Sequence, residues 1–372
     1  MNTGIQRRRF LSGSAAVAAL LGLPGCAYLT PTLQAAQTEP VKPEIDGDLV
    51  YFNWADYVHP SVFQGFEREY SVKVIQSNFD SMESMQAKLA AGNRYDIIFP
   101  SAQWVQKMVA ANQLRVIDPS TLKNAPLIFD HYAYFRNPWY DQHSAHSIPF
   151  TMYKTGIAWR KDKLGEKLTG SWSDLWNETS KGHTFVLADR NEVLGMVALL
   201  LGYDVNTADD RELAALVRKF RSLRPYLRGF SSDDYNNLLS GDAWMHQTWS
   251  GDIAALLRQA QDPSIYGFEA PIQGAPINTD AYAIPVGARH PGTALLFIDY
   301  MLRPENVMKN INHIGYPMPV HGTESTYADI VADFPSCAVT VDDLSRNLYY
   351  ANNSVAKTQA RDAAYTEMTV GA

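Results

Sequence analysis

Between residues 49 and 109 the chain alternates short, uninterrupted apolar runs with segments of helical period, and few architectures accept that pattern. The run LVYF at 49–52 is rich in strand formers and has no polar interruption, as expected of a strand buried on both faces. Pro60 then opens a helical pattern carried by Val62, Phe63, Phe66 and Tyr70, and residues 72–79 alternate like a strand. Met82, Met85 and Leu89 form an apolar stripe, Asp80 and Glu83 stand at capping-box spacing, and Gly92 is placed to end that helix. The run YDIIFP at 95–100 reads as a third buried strand, handing Ser101 to a helix that holds Val105, Met108 and Val109. Three strand–helix units in succession specify an α/β fold with a mostly parallel sheet and right-handed crossovers.

Further along, residues 148–160 turn extended. Residues 184–188 form a strand that releases Asp189, Arg190, Asn191 and Glu192 before an apolar helix at 193–201. Thr207 with Asp210 is placed to cap a helix at 211–223, and a short helix follows at 231–239. Residues 243–249 read as a strand ending in Trp249, Ser250, Gly251 and Asp252, and 265–270 and 280–285 are extended. Helices are expected at 292–302 and 304–312, before IGYPMP at 314–319, and the tail at 341–368 is mainly helical. A body of roughly 325 residues exceeds what one core usually supports. The expected division is therefore into one lobe of residues 47–150 and 281–330 and a second of 151–280 and 331–372, each a sheet flanked by helices.

The amino terminus is an export signal. Arg7, Arg8 and Arg9 precede Phe10 and Leu11, and the small and apolar stretch at 11–23 falls short of the about 20 residues that cross a bilayer. The paired arginines resemble a twin-arginine signal, and Leu23-Pro24-Gly25-Cys26 resembles the lipobox of bacterial lipoproteins, which marks Cys26 for lipidation. Residues 1–26 are thus the signal peptide, and the Pro-, Thr- and Gln-rich segment 27–46 is a flexible tether. The expected location is periplasmic or on the cell surface, lipid-anchored and not spanning. Apart from Cys26 the chain carries Cys337 alone, so no intramolecular disulfide is expected. A net charge of −7, spread along the chain, disfavours nucleic acid and permits a cationic ligand.

Ligands of open α/β sheets collect where strands end and helices begin. Trp54, Asp56 and Tyr57, then Ser101, then Asp189 and Glu192, then Trp249 and Asp252 each stand just past the end of an expected strand. Asp and Ser are also the commonest helix caps, so each position alone has a structural explanation. Together, carboxylates and aromatic rings from both lobes describe a cleft for an extended organic cation. Charge-assisted hydrogen bonds to an ammonium are worth about 1.5–3 kcal/mol each, and aromatic faces add cation–π attraction of about 0.5–2 kcal/mol.

Several stretches resemble the spermidine/putrescine-binding proteins of bacterial ABC importers. They are Trp54-Ala55-Asp56-Tyr57, the run FDSMESMQAKLAAGNRYDIIFPS at 79–101, the 189–192 cluster, TWSGD at 248–252, DAYAIP at 280–285, LRPENV at 302–307 and IGYPMP. The resemblance covers almost the whole body in the same order. It implies the two-lobed, hinge-closing periplasmic-binding-protein fold of type II, with a polyamine held between the lobes and delivered to a membrane permease by a monomeric protein. Carried over, the family's first aromatic and acid fall on Trp54 and Asp56, with Tyr57 beside them, and its strand-exit serine on Ser101. The second-lobe acids fall on Asp189 and Glu192, the indole platform on Trp249, the putrescine-type acid on Asp252, the crossing-strand acid on Asp280 and the late tyrosine on Tyr316. Asn352 stands where some members have glutamine. In two places an amide replaces the family's aromatic: Asn278, two residues before Asp280, and Gln103, two after Ser101.

Two other readings are carried forward. One is a binding protein of the same fold for another small organic cation or metabolite; the other is an exported hydrolase built on paired carboxylates such as Asp189 and Glu192. Tyr349-Tyr350 resembles the adjacent tyrosines of ferric-ion binding proteins without their supporting acids and histidine. His143 and His146 lie in a loop-like stretch and read as solvated. The chain shows no G-x-S-x-G elbow, phosphate loop or zinc signature, so no cofactor, metal or catalysis is expected.

Overall fold

The computed structural model describes residues 39–370, apart from 130–134, 136, 333, 347 and 352. The expected export signal with Cys26, the first part of the expected tether, and Asn352 lie outside the described residues.

The alternation at the start of the body folds as its pattern requires. Strand β1 (Leu49–Trp54) leads through helix α1 (Pro60–Tyr70) to β2 (Val74–Phe79), then through α2 (Met82–Ala90) to β3 (Ile97–Ile98) and α3 (Ala102–Ala110). Strand β1 lies between β2 and β3 and is parallel to both, with Leu49, Tyr51 and Phe52 buried. Only Ile97 and Ile98 of the run at 95–100 join the ladder, and β2 starts at Val74. Ser81, not Asp80, caps α2: its extended backbone aims the hydroxyl at the Ser84 N–H, 3.1 Å away.

The long strand β4 (Ser147–Arg160) is buried along nearly its whole length and ties the sheet together. The second parallel set consists of β5 (Thr184–Val186), α4 (Arg190–Leu200), α5 (Asp210–Arg221), β6 (Leu227–Phe230), α6 (Asp234–Ser240), β7 (Met245–Trp249) and α7 (Ser250–Gln259). Strand β8 (Tyr266–Glu269) and strand β9 (Ile277–Ala283) follow. The sheet runs β2-β1-β3-β9-β4-β7-β5-β6, with β8 also on β4. Residues 147–154 of β4 pair antiparallel with β9, and residues 155–159 pair antiparallel with β7. Two parallel sets are thus joined through two antiparallel crossing strands, at the places where extended chain was expected. Helix α5 is capped by Asp209, whose carboxylate accepts the Arg211 and Glu212 N–H groups, so the Thr207–Asp210 cap is not formed.

After β9, helices α8 (Pro291–Met301) and α9 (Pro304–Ile314) return to α1, where Phe297 packs edge-on against Tyr51 and Phe66. Asp96 anchors this return: buried beside β3, it accepts N–H bonds from Val50, Arg289 and His290 at 2.8–2.9 Å, so its charge is fully engaged. The folded body starts earlier than residue 47. Val41 is buried, and Asp46 accepts the Gly292 and Thr293 N–H groups at 3.0 Å, placing its charge at the positive end of α8. The tail forms a short helix, Val341–Ser345, and a long one, α10 (Val355–Thr369), packed on α5.

Candidate functional site

The ends of β1, β2, β6 and β7 open onto one cavity of about 760 Å³, reached also by the crossing strands. That size is ordinary for a small-molecule site. From the first parallel set come Trp54, Asp56 and Tyr57. The chain turns sharply after β1, with Asp56 in the left-handed region at φ 51°, a conformation Asp tolerates better than most residues. This turn leaves Asp56 exposed at the rim while Tyr57 points inward. Phe79, Asp80 and Ser81 arrive from the end of β2.

The crossing strands supply the floor. Asp280 on β9 is only 3% exposed. Its Oδ2 accepts the Tyr57 hydroxyl at 3.0 Å, and its Oδ1 has no hydrogen-bond partner among the described residues. Burial pushes the Asp280 carboxyl up to about 7, and the bond from Tyr57 opposes that rise. An unpaired buried carboxylate oxygen on a residue that lines a cavity is an acceptor waiting for a donor. Tyr153 on β4 stands beside it, edge-on to Trp249 at 6.1 Å and to Tyr316 at 5.8 Å, and Tyr316 meets Tyr57 at 5.5 Å. This chain of rings crosses the cavity from one parallel set to the other.

The second set contributes Asp233, Asp234 and Tyr235 from the start of α6, and Trp249 and Asp252 from the β7–α7 junction. Asp234 is buried and accepts the Thr248 hydroxyl and the Trp249 N–H. Burial raises both Asp234, to about 6, and Asp252, and the two carboxyls hydrogen-bond each other, so one proton between them relieves their repulsion. Tyr316 reaches Asp252 because residue 251 is glycine: a Cβ there would lie 2.1 Å from the Tyr316 ring.

Seven of the residues singled out in the sequence line this cavity: Trp54, Asp56, Tyr57, Trp249, Asp252, Asp280 and Tyr316. Four stand behind or beside its wall. Glu192 is buried one turn into α4, where Oε1 accepts the Trp249 indole N–H at 3.2 Å and Oε2 accepts the Tyr350 hydroxyl at 2.9 Å. Burial, with Asp189 nearby, raises its carboxyl to about 8. Its place in the structure is to hold the indole. Asp189 caps α4 through the Glu192 N–H at 3.0 Å. Ser101 caps α3 by position, and its backbone bridges Asp280. Asn278 is buried on β9, and its Oδ1 accepts the Thr279 N–H. Cavity residues that the sequence did not assign to the site are Asp80, expected only as a helix cap, Tyr153, expected only on a crossing strand, and Asp233, Asp234 and Tyr235. The Asp233-Asp234 pair follows the end of β6, a strand the sequence did not lead us to expect, so the strand-exit rule had nothing to start from there.

The lining therefore holds six aspartates and seven aromatic residues, with no lysine, arginine or histidine. Such a wall rejects anions and suits a guest whose positive charges are separated by an apolar chain. Among the described residues no cluster of His, Cys, Asp or Glu is arranged to hold a metal ion. Tyr350, of the tyrosine pair, gives its hydroxyl to Glu192.

Residues 63–333 match the family described as bacterial extracellular solute-binding protein. The spermidine/putrescine-binding periplasmic protein of Escherichia coli is 33% identical over 274 residues, covering 73% of this chain and 77% of that protein. Among solved structures, a lipoprotein of Treponema pallidum is 25% identical, with a TM-score of 0.75, covering 86% of this chain and 99% of that one. The spermidine/putrescine ABC transporter substrate-binding protein of Streptococcus pneumoniae is 23% identical with a TM-score of 0.72, covering 87% and 98% of the two chains; at that identity the likeness speaks to the fold.

Proposed function

The chain belongs to the bacterial extracellular solute-binding proteins, and we propose that it captures a linear di- or polyamine of the putrescine or spermidine type and presents it to the permease of an ABC importer. The observation that carries this reading is the cavity whose charged lining residues are all acidic and whose walls are rich in aromatic rings, with Asp280, which has an unpaired Oδ1, among them. Its ligand residues are Trp54, Asp56, Tyr57, Tyr153, Asp234, Trp249, Asp252, Asp280 and Tyr316, with Glu192, Ser101 and Asn278 as supports. The names of the relatives that match along most of the chain point the same way.

Two lobes, residues 47–150 with 281–330 and residues 151–280 with 331–372, close on the ligand by bending at β4 and β9. A guest that touches Trp54 and Tyr57 on one side and Trp249 and Asp252 on the other favours the closed form, because only that form makes all contacts at once. The protein works as an exported monomer held to a membrane by a lipid on Cys26. Among the described residues no helix is long and apolar enough to cross a membrane. Hydrolysis is not part of the proposal: Glu192 is engaged by Trp249 and Tyr350, and Asp189 by its helix.

A thermal-shift panel of putrescine, cadaverine, spermidine, spermine, agmatine and neutral amino acids tests the reading. Saturable stabilisation by at least one diamine or polyamine, and none by neutral amino acids, is expected. Stabilisation by agmatine alone would move the ligand to another organic cation, and no response to any amine would remove the function. Trp249→Ala is expected to weaken the best amine by about five- to thirtyfold, the loss of one cation–π face and some methylene cover. An unchanged dissociation constant by calorimetry would make Trp249 a packing residue only.

A further inference from the structure

A second cavity, of about 530 Å³, has the opposite character. It lies along α3 and at the starts of α4 and α10, and its charged lining residues are Lys107, Arg190 and Arg361, with no acid among them. It shares no lining residue with the acidic cavity. Two helices begin on it: Arg190 and Asn191 open α4, while Ser354 caps α10 and Val355 starts it. Helix amino termini carry partial positive charge and free N–H groups.

Arg361 supplies an independent observation. It is 2% exposed; Nη1 donates to the Thr207 carbonyl at 2.8 Å, whereas Nη2 has no hydrogen-bond partner among the described residues. The Nε of Arg190 is likewise without a partner, although its Nη1 pairs with Asp362. Asp189 lies within electrostatic reach of both guanidinium groups but lines neither cavity. A buried guanidinium with an idle N–H is a costly arrangement unless an acceptor joins it. Lys107, held over the Trp104 ring at 4.0 Å, stands on the α3 wall, and Trp104, Ala110, Ala111 and Val355 make that region apolar.

We propose that this cavity binds a small organic carboxylate, its oxygens between Arg361, Arg190 and Lys107 and its carbon body against Trp104 and Val355. The planar fork of arginine suits a carboxylate, and the apolar wall favours a carbon body over a bare inorganic ion. The site shares no residue with those assigned above to the amine, although Gln103, where the family likeness places an aromatic, is in its lining, so the putrescine arm of the test separates the two readings.

Calorimetric titration of the mature protein with butyrate, succinate and glutarate tests it, with inorganic phosphate and chloride at matched ionic strength as comparisons. At least one carboxylate is expected to bind saturably with no saturable response to chloride. Lys107→Gln, at an exposed position, is expected to weaken that binding by about two- to fivefold and Arg190→Gln by about tenfold or more. Putrescine affinity should not change in Lys107→Gln. Saturation by phosphate alone, equal responses to every anion including chloride, or carboxylate affinity unaltered in both variants would each overturn the proposal.

Discussion

Asp280→Asn is expected to lower affinity for putrescine or spermidine by roughly ten- to a hundredfold near neutral pH, the equivalent of one charged hydrogen bond of about 1.5–3 kcal/mol. The substitution keeps the shape and leaves an acceptor for the Tyr57 hydroxyl, which now donates to Oδ2 at 3.0 Å. What it removes is the negative charge on an oxygen that otherwise has no partner. The same variant should be more stable than the parent when no ligand is present. The folded-state pKa of Asp280 is raised to about 7 from an ordinary 3.8, so the folded state binds the proton more tightly than the unfolded chain does. Its contribution to stability is fully present below about pH 4 and is lost as pH rises through about 7, a swing on the order of 4 kcal/mol. At about pH 8, Asp280→Asn should therefore melt higher than the unliganded parent and gain less from putrescine. Calorimetry and thermal melting read both effects; unchanged affinity together with unchanged melting would remove Asp280 from the site.

The second large effect is on pH dependence. In the free protein Asp280 is protonated over much of the mildly acidic range, and burial also raises Asp234, to about 6. An alkyl ammonium, with an ordinary pKa above 10, stays charged throughout. Binding it requires the carboxylate form, so association below about pH 7 releases protons. From Asp280 alone, affinity at about pH 5.5 should be roughly thirtyfold lower than at about pH 8. The Asp234–Asp252 pair deepens the fall, since it also holds a proton that an ammonium would displace. Tyr57, Tyr153 and Tyr316 face these acids with phenols pushed far above neutrality by burial, so they do not titrate in this window. Titrations across this range should show the slope in the parent and a much flatter profile in Asp280→Asn. A pH-independent affinity in the parent would mean that the ligand does not meet these carboxylates.

Much of this site was legible because its residues sit where strand periodicity stops. Trp54, Asp56 and Tyr57 after β1, and Trp249 and Asp252 after β7, follow apolar runs whose ends the sequence marks plainly. Asp280 and Tyr316 carry no such local mark; they came from the resemblance of DAYAIP and IGYPMP to a known family. Spacing could not tell which way α4 faces. Asp189 and Glu192 look alike in sequence, yet one caps the helix and the other is turned inward to hold the Trp249 indole. Neighbouring hydroxyl and carboxylate residues compete for a helix cap, so Ser81 took the place expected of Asp80, and Asp209 that of Thr207 with Asp210. Tyr153 was hidden because a strand buried on both faces gives no alternation to show which side chains reach a cavity.

The central claim is that acids and rings from both parallel sets converge on one cationic guest. A crystal structure of the mature protein with putrescine or spermidine tests it most directly. The account predicts an ammonium nitrogen within hydrogen-bond distance of Asp280 Oδ1, with methylenes lying against Trp249 and Tyr316. An amine bound elsewhere, with Asp280 Oδ1 still unpartnered, would contradict it.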